Sequence, residues 1–512
     1  MTAETVASHR SQVTPARERF WHLLYAEWTK FRTVRGWVIA MGITIAAIAA
    51  FTFVGTNVGG GCTGDSSHAS GGPGAATCSV QPTGPGGVPV QDQFYFAHQP
   101  VTGNGTITVQ MTSLTGQVSL GPGQTESGGL QPWSKAGIMI KENTSEGSAY
   151  AAMMVTGSDG VRMQWDYVND TPGLTGDVSS SAPRWLRLVR TGGTVAGYDS
   201  ADGTHWTLLG TVTLPGLTST LQAGLFAAGS GDNFGTQATG TFRQIGLSWP
   251  ASGWTGTNVG GVVTAPGALS QGSGALTVSG YGDISPAVGN RGGSRSLRQA
   301  LAGTFFGLIP LVVVAAMFIT AEYRRGLIGV SLTAAPRRGR LLAAKAIVIG
   351  AVGFVTGLVA ALLALAIGEP LMLRDGPLSW PVSLSTETRL VLGTAVLLAV
   401  AAVLALAIGT IVRRSAAAVA IAIVVIIVPY LLAFGPLSGR GDGSGGGWEL
   451  RYTPVAALSV QQAIPKFYQL IVVYSPHNGY YPLAPWTGVG VECAWAAAEL
   501  ALAYYLLRRR DA

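Results

Sequence analysis

The sequence predicts an α-helical polytopic membrane protein of six spans, with an all-β extracellular sandwich inserted between spans one and two. Three observations predict it. Apolar residues make up 47% of the 512 residues and charged residues only 11%, a balance typical of membrane proteins. Apolar runs long enough to cross a bilayer stand at 37–54, 299–321, 346–368, 390–412, 416–434 and 486–507. Between the first two, over 88–250, the apolar period changes from helical to two, in a stretch punctuated by Gly and Asn.

Composition excludes some classes. The net charge of +7 is carried by Lys and Arg beside apolar runs, as membrane topology requires. No zinc-finger, helix-turn-helix or aromatic-basic ribonucleoprotein pattern accompanies it, so a nucleic-acid partner is not expected. The excess of Arg over Lys and the 72 glycines suit a bacterium with a GC-rich genome. Three cysteines are too few for a disulfide scaffold, and none has metal-ligand spacing.

In chain order, residues 1–16 are polar and expected to be disordered. From Arg17 the pattern turns helical: Phe20, Leu24, Trp28 and Phe31 share one face, with Glu27, Lys30, Arg32 and Arg35 elsewhere. This reads as an interfacial helix at 17–36, rings toward acyl chains and cations toward phosphates. The run 37–54 exceeds the roughly 7–15-residue core of a signal peptide. Its small-x-small site, Ala47-Ile48-Ala49, lies inside the run, so it reads as an uncleaved span. The basic flank holds the N-terminus in the cytoplasm and puts the chain beyond the span on the outer side.

Residues 55–87 read as a Gly/Ser/Pro-rich tether. Cys62 and Cys78 fall on the outer side, where a bridge closing about 15 residues would be worth roughly 3 kcal/mol. In Thr106-Ile107-Thr108-Val109-Gln110-Met111 apolar and polar residues alternate as in a half-buried strand. Ile138 with Ile140, and Leu186 with Leu188, behave alike, and Asp202-Gly203 reads as a tight hairpin turn. Asp166, Asp170, Asp177, Asp199 and Asp202 read mostly as turn residues, since no paired-carboxylate strand pattern occurs. Trp165, Trp185 and Trp206 are either exposed aromatics of a binding face or ordinary core, and His205 reads as structural. Residues 251–296 read as a second tether returning to the membrane domain at 297–512.

In that domain Arg413-Arg414 forms a tight inner turn and Arg508-Arg509-Arg510 stands just past the last span. Every short cytoplasmic connection is then basic. The chain is then expected to be multi-pass in the cell membrane, with both termini cytoplasmic and residues 55–298 extracellular. Thr453–Ile464 and Phe467–Tyr474 are apolar but too short to cross, and read as re-entrant or interfacial pieces on the outer side. Cys493 lies in an apolar run and reads as inert packing. Glu492 and Glu499 are seven residues apart, on one face of the last span. Glu499 lies about 13 Å from its inner end. Such an acid either faces a water cavity or pathway, or makes a hydrogen-bonded helix contact.

The basic stretch Ala321–Lys345 links the second and third spans. Its cations alone explain a cytoplasmic placement. Its order Glu322-Tyr323-x-x-Gly326, Ser331-Leu332 and Pro336-Arg337-Arg338 also resembles the intracellular loop of type 2 ATP-binding-cassette exporter permeases, with Leu327 where many members carry Thr. That resemblance implies a permease subunit whose loop couples it to a separate ABC ATPase. The coupling elbow would be Glu322, Arg324, Arg325, Gly326, Pro336, Arg337 and Arg338, and the connecting helix would carry Glu27, Trp28, Lys30 and Arg32. It further implies a permease dimer, homomeric or heteromeric, with ATP held on the partner. Lys135–Ile140, Pro183–Leu188 and Tyr198–Trp206 resemble pieces of concanavalin-like and laminin-G-like jelly rolls, which implies a glycan or protein ligand. No phosphate loop, HExxH or G-x-S-x-G occurs, so no catalytic, cofactor or metal residue is expected. The competing expectation is a membrane-anchored glycan-binding or sensor protein, for which six spans and a basic elbow are more than an anchor needs.

Overall fold

In the computed structural model the described residues are 20–58, 82–121, 124–127, 129–214, 216–230, 235–262, 265–272, 274–288, 296–329, 337–374, 380–434, 448–470 and 483–509. Two helices open them, α1 (Phe20–Thr33) and α2 (Arg35–Val58). Strands come next: β1 (Val90–Asp92), β2 (Phe94–Thr102), β3 (Gly105–Gly121), β4 (Gln124–Ser127), β5 (Lys135–Lys141), β6 (Tyr150–Thr156), β7 (Val161–Trp165), β8 (Asn169–Pro172) and β9 (Arg184–Thr191). The series continues with β10 (Thr194–Ser200), β11 (Thr207–Thr213), β12 (Thr220–Ala228), β13 (Thr236–Leu247), β14 (Thr255–Val259), β15 (Ala268–Gly272), β16 (Ala275–Tyr281) and β17 (Ile284–Pro286). The chain then returns to helices: α3 (Thr304–Arg324), α4 (Arg338–Arg374), α5 (Leu384–Val412), α6 (Ser415–Ile426), α7 (Val428–Phe434) and α8 (Pro485–Arg509).

The strands form an antiparallel sandwich. One sheet runs β14-β2-β12-β5-β6-β7-β8; the other runs β11-β10-β9-β3-β13-β16-β15 with β4 on β3. Alternation selects the inward face: Ile107, Val109 and Met111 of β3, Leu186 and Leu188 of β9, and Ile138 and Ile140 of β5 meet in one core. The expected hairpin is present, β10 pairing with β11 around Asp202-Gly203. Unlike a half-buried strand, β5 is buried along its whole length. Its outer face, with Met139, packs in a second cluster with Phe94, Phe96, Tyr150, Tyr167 and Phe226.

The stretch 251–296, expected as a tether, instead supplies β14–β17, including edge strands of both sheets. Leu276 and Val278 alternate there with Thr and Ser and join the core. Small polar residues dilute that alternation in the sequence, while pairing with β13 supplies the order. The 55–87 tether is likewise structured at its end, where Thr83 bridges to Pro89. Asp199, expected as a turn residue, is buried in β10 and accepts a hydrogen bond from the Leu174 amide at 2.6 Å.

Six helical segments are long and apolar enough to cross a membrane, Arg35–Val54, Leu297–Arg324, Arg338–Met372, Leu384–Val412, Ser415–Leu432 and Pro485–Arg509. The chain is a multi-pass membrane protein. Helix α5 is central, touching α3, α4, α6 and α8. A Cβ on Gly353 or Gly357 of α4 would come within about 3 Å of the α5 backbone, the close approach small residues allow inside membranes. The fifth run breaks at Ile427, giving α6 and α7, with Pro429 in the first turn of α7. Part of the expected outer apolar piece 453–464 is a buried 3₁₀ segment, Pro454–Gln461, packed on α8 and α5. Cys493 is exposed on α8 rather than packed.

The sandwich meets the bundle at one rim. Val288 packs with Trp380, Ile464 and Phe467, the Trp380 indole donates to Ala287 O at 3.1 Å, and the Gln469 amide donates to Tyr167 O at 3.0 Å. Trp380 lies just past the C-terminal end of α4, a helix about 55 Å long at 1.5 Å per residue.

Candidate functional site

At the opposite end of α4 four charged side chains close a ring. Lys345 of α4 lies 2.6 Å from Glu27 of α1 and 2.7 Å from Glu322 of α3. Lys30 of α1 lies 2.7 Å from Glu27 and 3.1 Å from Glu322. Charges alternate around the ring, so each carboxylate bridges two ammonium groups and the sum is zero. Lys345 and Glu27 are fully buried, and Lys30 is the solvent-facing member. Burial alone would lower the Lys30 ammonium, but the Glu27 and Glu322 carboxylates hold it above the ordinary lysine value. A buried ion pair needs good geometry and saturated partners to offset desolvation. Among the described residues, Glu322 Oε2 is buried without a hydrogen-bond partner.

Local structure explains how the ring assembles. Helix α1 ends at Thr33 and α2 begins at Arg35, so the chain turns from an interfacial helix into a span within a residue. The buried face of α1 carries Glu27 and Phe31. Trp28, expected on the apolar face, is 43% exposed yet still stacks on Phe31, with ring centroids 6.3 Å apart. Phe31 and Trp37 meet Phe318 of α3 edge-on, and the Lys345 ammonium sits 4.7 Å from the Phe318 ring centre. Aromatic carbon thus lies against the buried Lys345 side of the ring, which keeps water from that ammonium and strengthens its pairs.

Just past Glu322, α3 ends. Gly326 takes φ 67°, a left-handed value that lets the chain leave the helix without a Cβ clash. Arg413, at φ 64°, closes the tight turn between α5 and α6, and its guanidinium lies 5.2 Å from the Tyr323 ring centre. Arg338 donates to Leu507 O at 2.6 Å, tying the start of α4 to the end of α8. Arg324, Arg325, Arg337 and Arg32 are exposed. The cationic residues of four helix ends therefore gather at one end of the bundle, away from the sandwich.

The other expected site residues fall elsewhere. Pro336, Cys62 and Cys78 lie outside the described residues. Glu492 is buried in α8 and Glu499 half-buried on the same helix. In the sandwich, Trp165 packs on the inter-sheet core, whereas Trp206 lies beneath the Arg187 guanidinium at 3.7 Å. His205 is exposed, 2.6 Å from Asp202, and this contact with neighbouring amides holds the Asp202 carboxyl below the usual range. The residue that sequence reasoning undervalued is Lys345. Its signal was a lysine opening an apolar run, opposite an acid that closes the previous one.

The sequence matches the family described as ABC-2 family transporter protein over residues 219–512, more than half of the chain. The chain belongs to that family. No curated protein matches this ABC-2 family member. Solved structures similar to it include a functionally unknown protein from Saccharomyces cerevisiae, with 18% identity over 30% of this chain and 74% of that one, at TM-score 0.22. Scytalido-glutamic peptidase with a transition state analog inhibitor shows 6% identity over 37% and 98%, at TM-score 0.25. The GH43 protein BlXynB mutant from Bacillus licheniformis shows 14% over 30% and 27%, at TM-score 0.18. Likenesses this low carry no argument about the chain.

Proposed function

We propose that this ABC-2 family member is the membrane-spanning permease subunit of an ABC exporter, driven by a separate cytoplasmic ATPase. The observation that carries the reading is the four-charge ring. It joins α1, α3 and α4 into one unit directly beneath the Gly326 turn, where a partner's movement is transmitted to three helices at once. The domain plan is then a connecting helix at 17–36, a first span from residue 37, an outer sandwich extended to residue 288, and a membrane domain from 297 onward. The gathering of cations at the ring end supports a cytoplasmic face there, and the sandwich at the far end of α4 supports an extracellular one. Exposed apolar side chains such as Val355, Val359 and Leu362 of α4 suit lipid or the second permease of a dimer.

The elbow is tested in the reconstituted permease–ATPase complex. Glu322→Gln leaves the ring geometry nearly intact but removes a charge; Gly326→Val forces a β-branched residue into left-handed backbone, at about 1–2 kcal/mol. Both variants insert normally and lose most of the substrate-stimulated ATP hydrolysis. Full stimulated hydrolysis and transport in both would reduce the elbow to a topological anchor. Sidedness is tested separately: cysteines placed at Ser145 and Ser219 react with an impermeant thiol reagent in whole cells, and one placed at Ser331 does not.

A further inference from the structure

Asp92, at the end of β1, and Lys141, at the end of β5, meet inside the sandwich. Both side chains are fully buried, and Lys141 Nζ lies 2.8 Å from Asp92 Oδ2. Tyr150 and Tyr167 flank the ammonium, with ring centres 5.7 Å and 5.4 Å away. Two donors converge on Asp92 Oδ2, the Tyr167 hydroxyl at 2.7 Å and the Gly147 amide at 2.9 Å. Asp92 Oδ1, by contrast, is buried with no hydrogen-bond partner among the described residues. Two successive non-Gly residues in left-handed backbone, Asp166 at φ 49° and Tyr167 at φ 68°, aim the Tyr167 hydroxyl. Such strain persists only where the surroundings over-determine it.

A salt bridge makes no use of the bare Oδ1. An acyl transfer does. Desolvated lysine is a nucleophile once it loses a proton, and burial holds the Lys141 ammonium below the ordinary lysine value in spite of Asp92. Nζ touches an oxygen bonded to Asp92 Cγ, so nucleophile and carbonyl carbon are held close to the near-attack range of about 3–3.5 Å. Effective molarities of about 10⁵ M or more for groups fixed in this way offset the cost of condensing an amine with an acid.

We propose that Lys141 and Asp92 join in an intramolecular isopeptide bond, for which the ion pair in the structure is the reactant. One ammonium proton passes to Oδ1, and the free amine adds to Cγ. Negative charge developing on Oδ2 is met by the Tyr167 O–H and the Gly147 N–H, as in an oxyanion hole. A second proton from Nζ follows to Oδ1, which leaves as water. The amide keeps the third proton on nitrogen and Oδ2 as its carbonyl oxygen. One N–C bond forms, one C–O bond breaks, and nothing is oxidised or reduced. The bond fastens β1, a three-residue strand paired with β17, to β5 in the seven-stranded sheet. Lys135 is also fully buried, but its partner Asp283 is 13% exposed. Water reaches that carboxylate, so that pair stays ionic. None of this depends on the permease reading.

The test is mass spectrometry of the purified full-length protein, denatured before measurement. After allowance for the substitution, the wild type is lighter than Lys141→Arg by one water, because a guanidinium keeps the ion pair but does not give up its proton. Fragmentation of peptic peptides from the wild type finds a branched peptide joining Asp92 to Lys141, and none joining Asp283 to Lys135. Asp92→Asn yields the same branched peptide, losing ammonia where the acid loses water. Equal masses for wild type and Lys141→Arg overturn the proposal. So does a dehydrated wild type whose Asp92 peptide is unbranched, the mark of a ring closed on the next backbone amide. The branched peptide needs no variant, so its absence from the wild type overturns the proposal whether or not Lys141→Arg folds.

Discussion

The sandwich and the helix bundle each bury lysines completely, and they neutralise them differently. In the sandwich, Lys141 lies 2.8 Å from Asp92 and donates to Tyr167 Oη at 2.9 Å and Ser148 O at 3.0 Å. Burial holds its ammonium below the ordinary lysine value in spite of Asp92. One charge pair is thus wrapped in neutral acceptors, and it pins β1 to β5 within one sandwich. In the bundle, Lys345 answers two carboxylates from two other helices, and Lys30 completes the ring. The first arrangement locks a fold. The second fastens separate helices together while leaving one member, Lys30, in contact with solvent.

The largest expected effects break both clusters. Lys345→Met leaves Glu27 and Glu322 buried with Lys30 alone and costs about 3–5 kcal/mol. Adding Glu27→Gln and Glu322→Gln recovers most of that loss, because the one charge left in the ring, Lys30, faces solvent. Lys141→Met costs the sandwich a similar amount but leaves stimulated ATP hydrolysis unchanged. Denaturant unfolding followed by a probe in each region separates the two. A failure of the triple variant to recover would mean that the ring matters by shape rather than charge.

Next in size is the boundary of the sandwich. A fragment of residues 82–288 unfolds cooperatively with an all-β circular dichroism spectrum. A fragment ending at residue 250 loses the contribution of Leu276 and Val278, about 1.5–3 kcal/mol for each buried side chain, and shows no sharp transition. Equal stability of the two fragments would mean that β14–β17 are passengers.

Smaller still is the rim. Trp380→Phe removes the hydrogen bond to Ala287 O, worth about 0.5–1.5 kcal/mol. Amide exchange at residues 284–288 accelerates in the full-length protein while exchange near Lys345 does not change. Acceleration at both ends would show that sandwich and ring are coupled along α4.

The smallest effect is a pH dependence confined to the sandwich. Desolvation lifts Asp166 from 3.8 to about 6, so the folded state holds a proton that the unfolded state releases between those values. Stability from this group therefore rises as pH falls through about 6, is complete below the unfolded value, and is absent at pH 7. Its partial exposure limits the gain to about 1 kcal/mol. Asp166→Asn, tolerated at φ 49° because Asn adopts left-handed backbone readily, abolishes the pH slope and stabilises the neutral-pH state. A slope that survives the substitution assigns it to another carboxyl.

The parts legible in the sequence are those that local patterning controls. Six apolar runs became six membrane-length helical segments, the fifth broken at Ile427, because burial of a whole run needs no knowledge of its neighbours. Ile107, Val109 and Met111 announced β3 by period alone, and Asp202-Gly203 announced its hairpin. The basic residues announced which helix ends belong together, since sidedness is a property of charge count.

Tertiary structure decided the rest. β14–β17 are too rich in Gly, Ser and Thr to declare themselves, and gain their order from strands paired beside them. Glu27 stood off the apolar face of α1 in the sequence. Its burial is set by Lys345, 318 positions away. Glu27, Lys30 and Glu322 were legible as residues of the connecting helix and elbow, but the closure of four charges into a ring was not. Each charge is costly alone in a low-dielectric interior, and only the packing of α1, α3 and α4 brings the opposite charges within about 3 Å, where Coulomb attraction offsets desolvation.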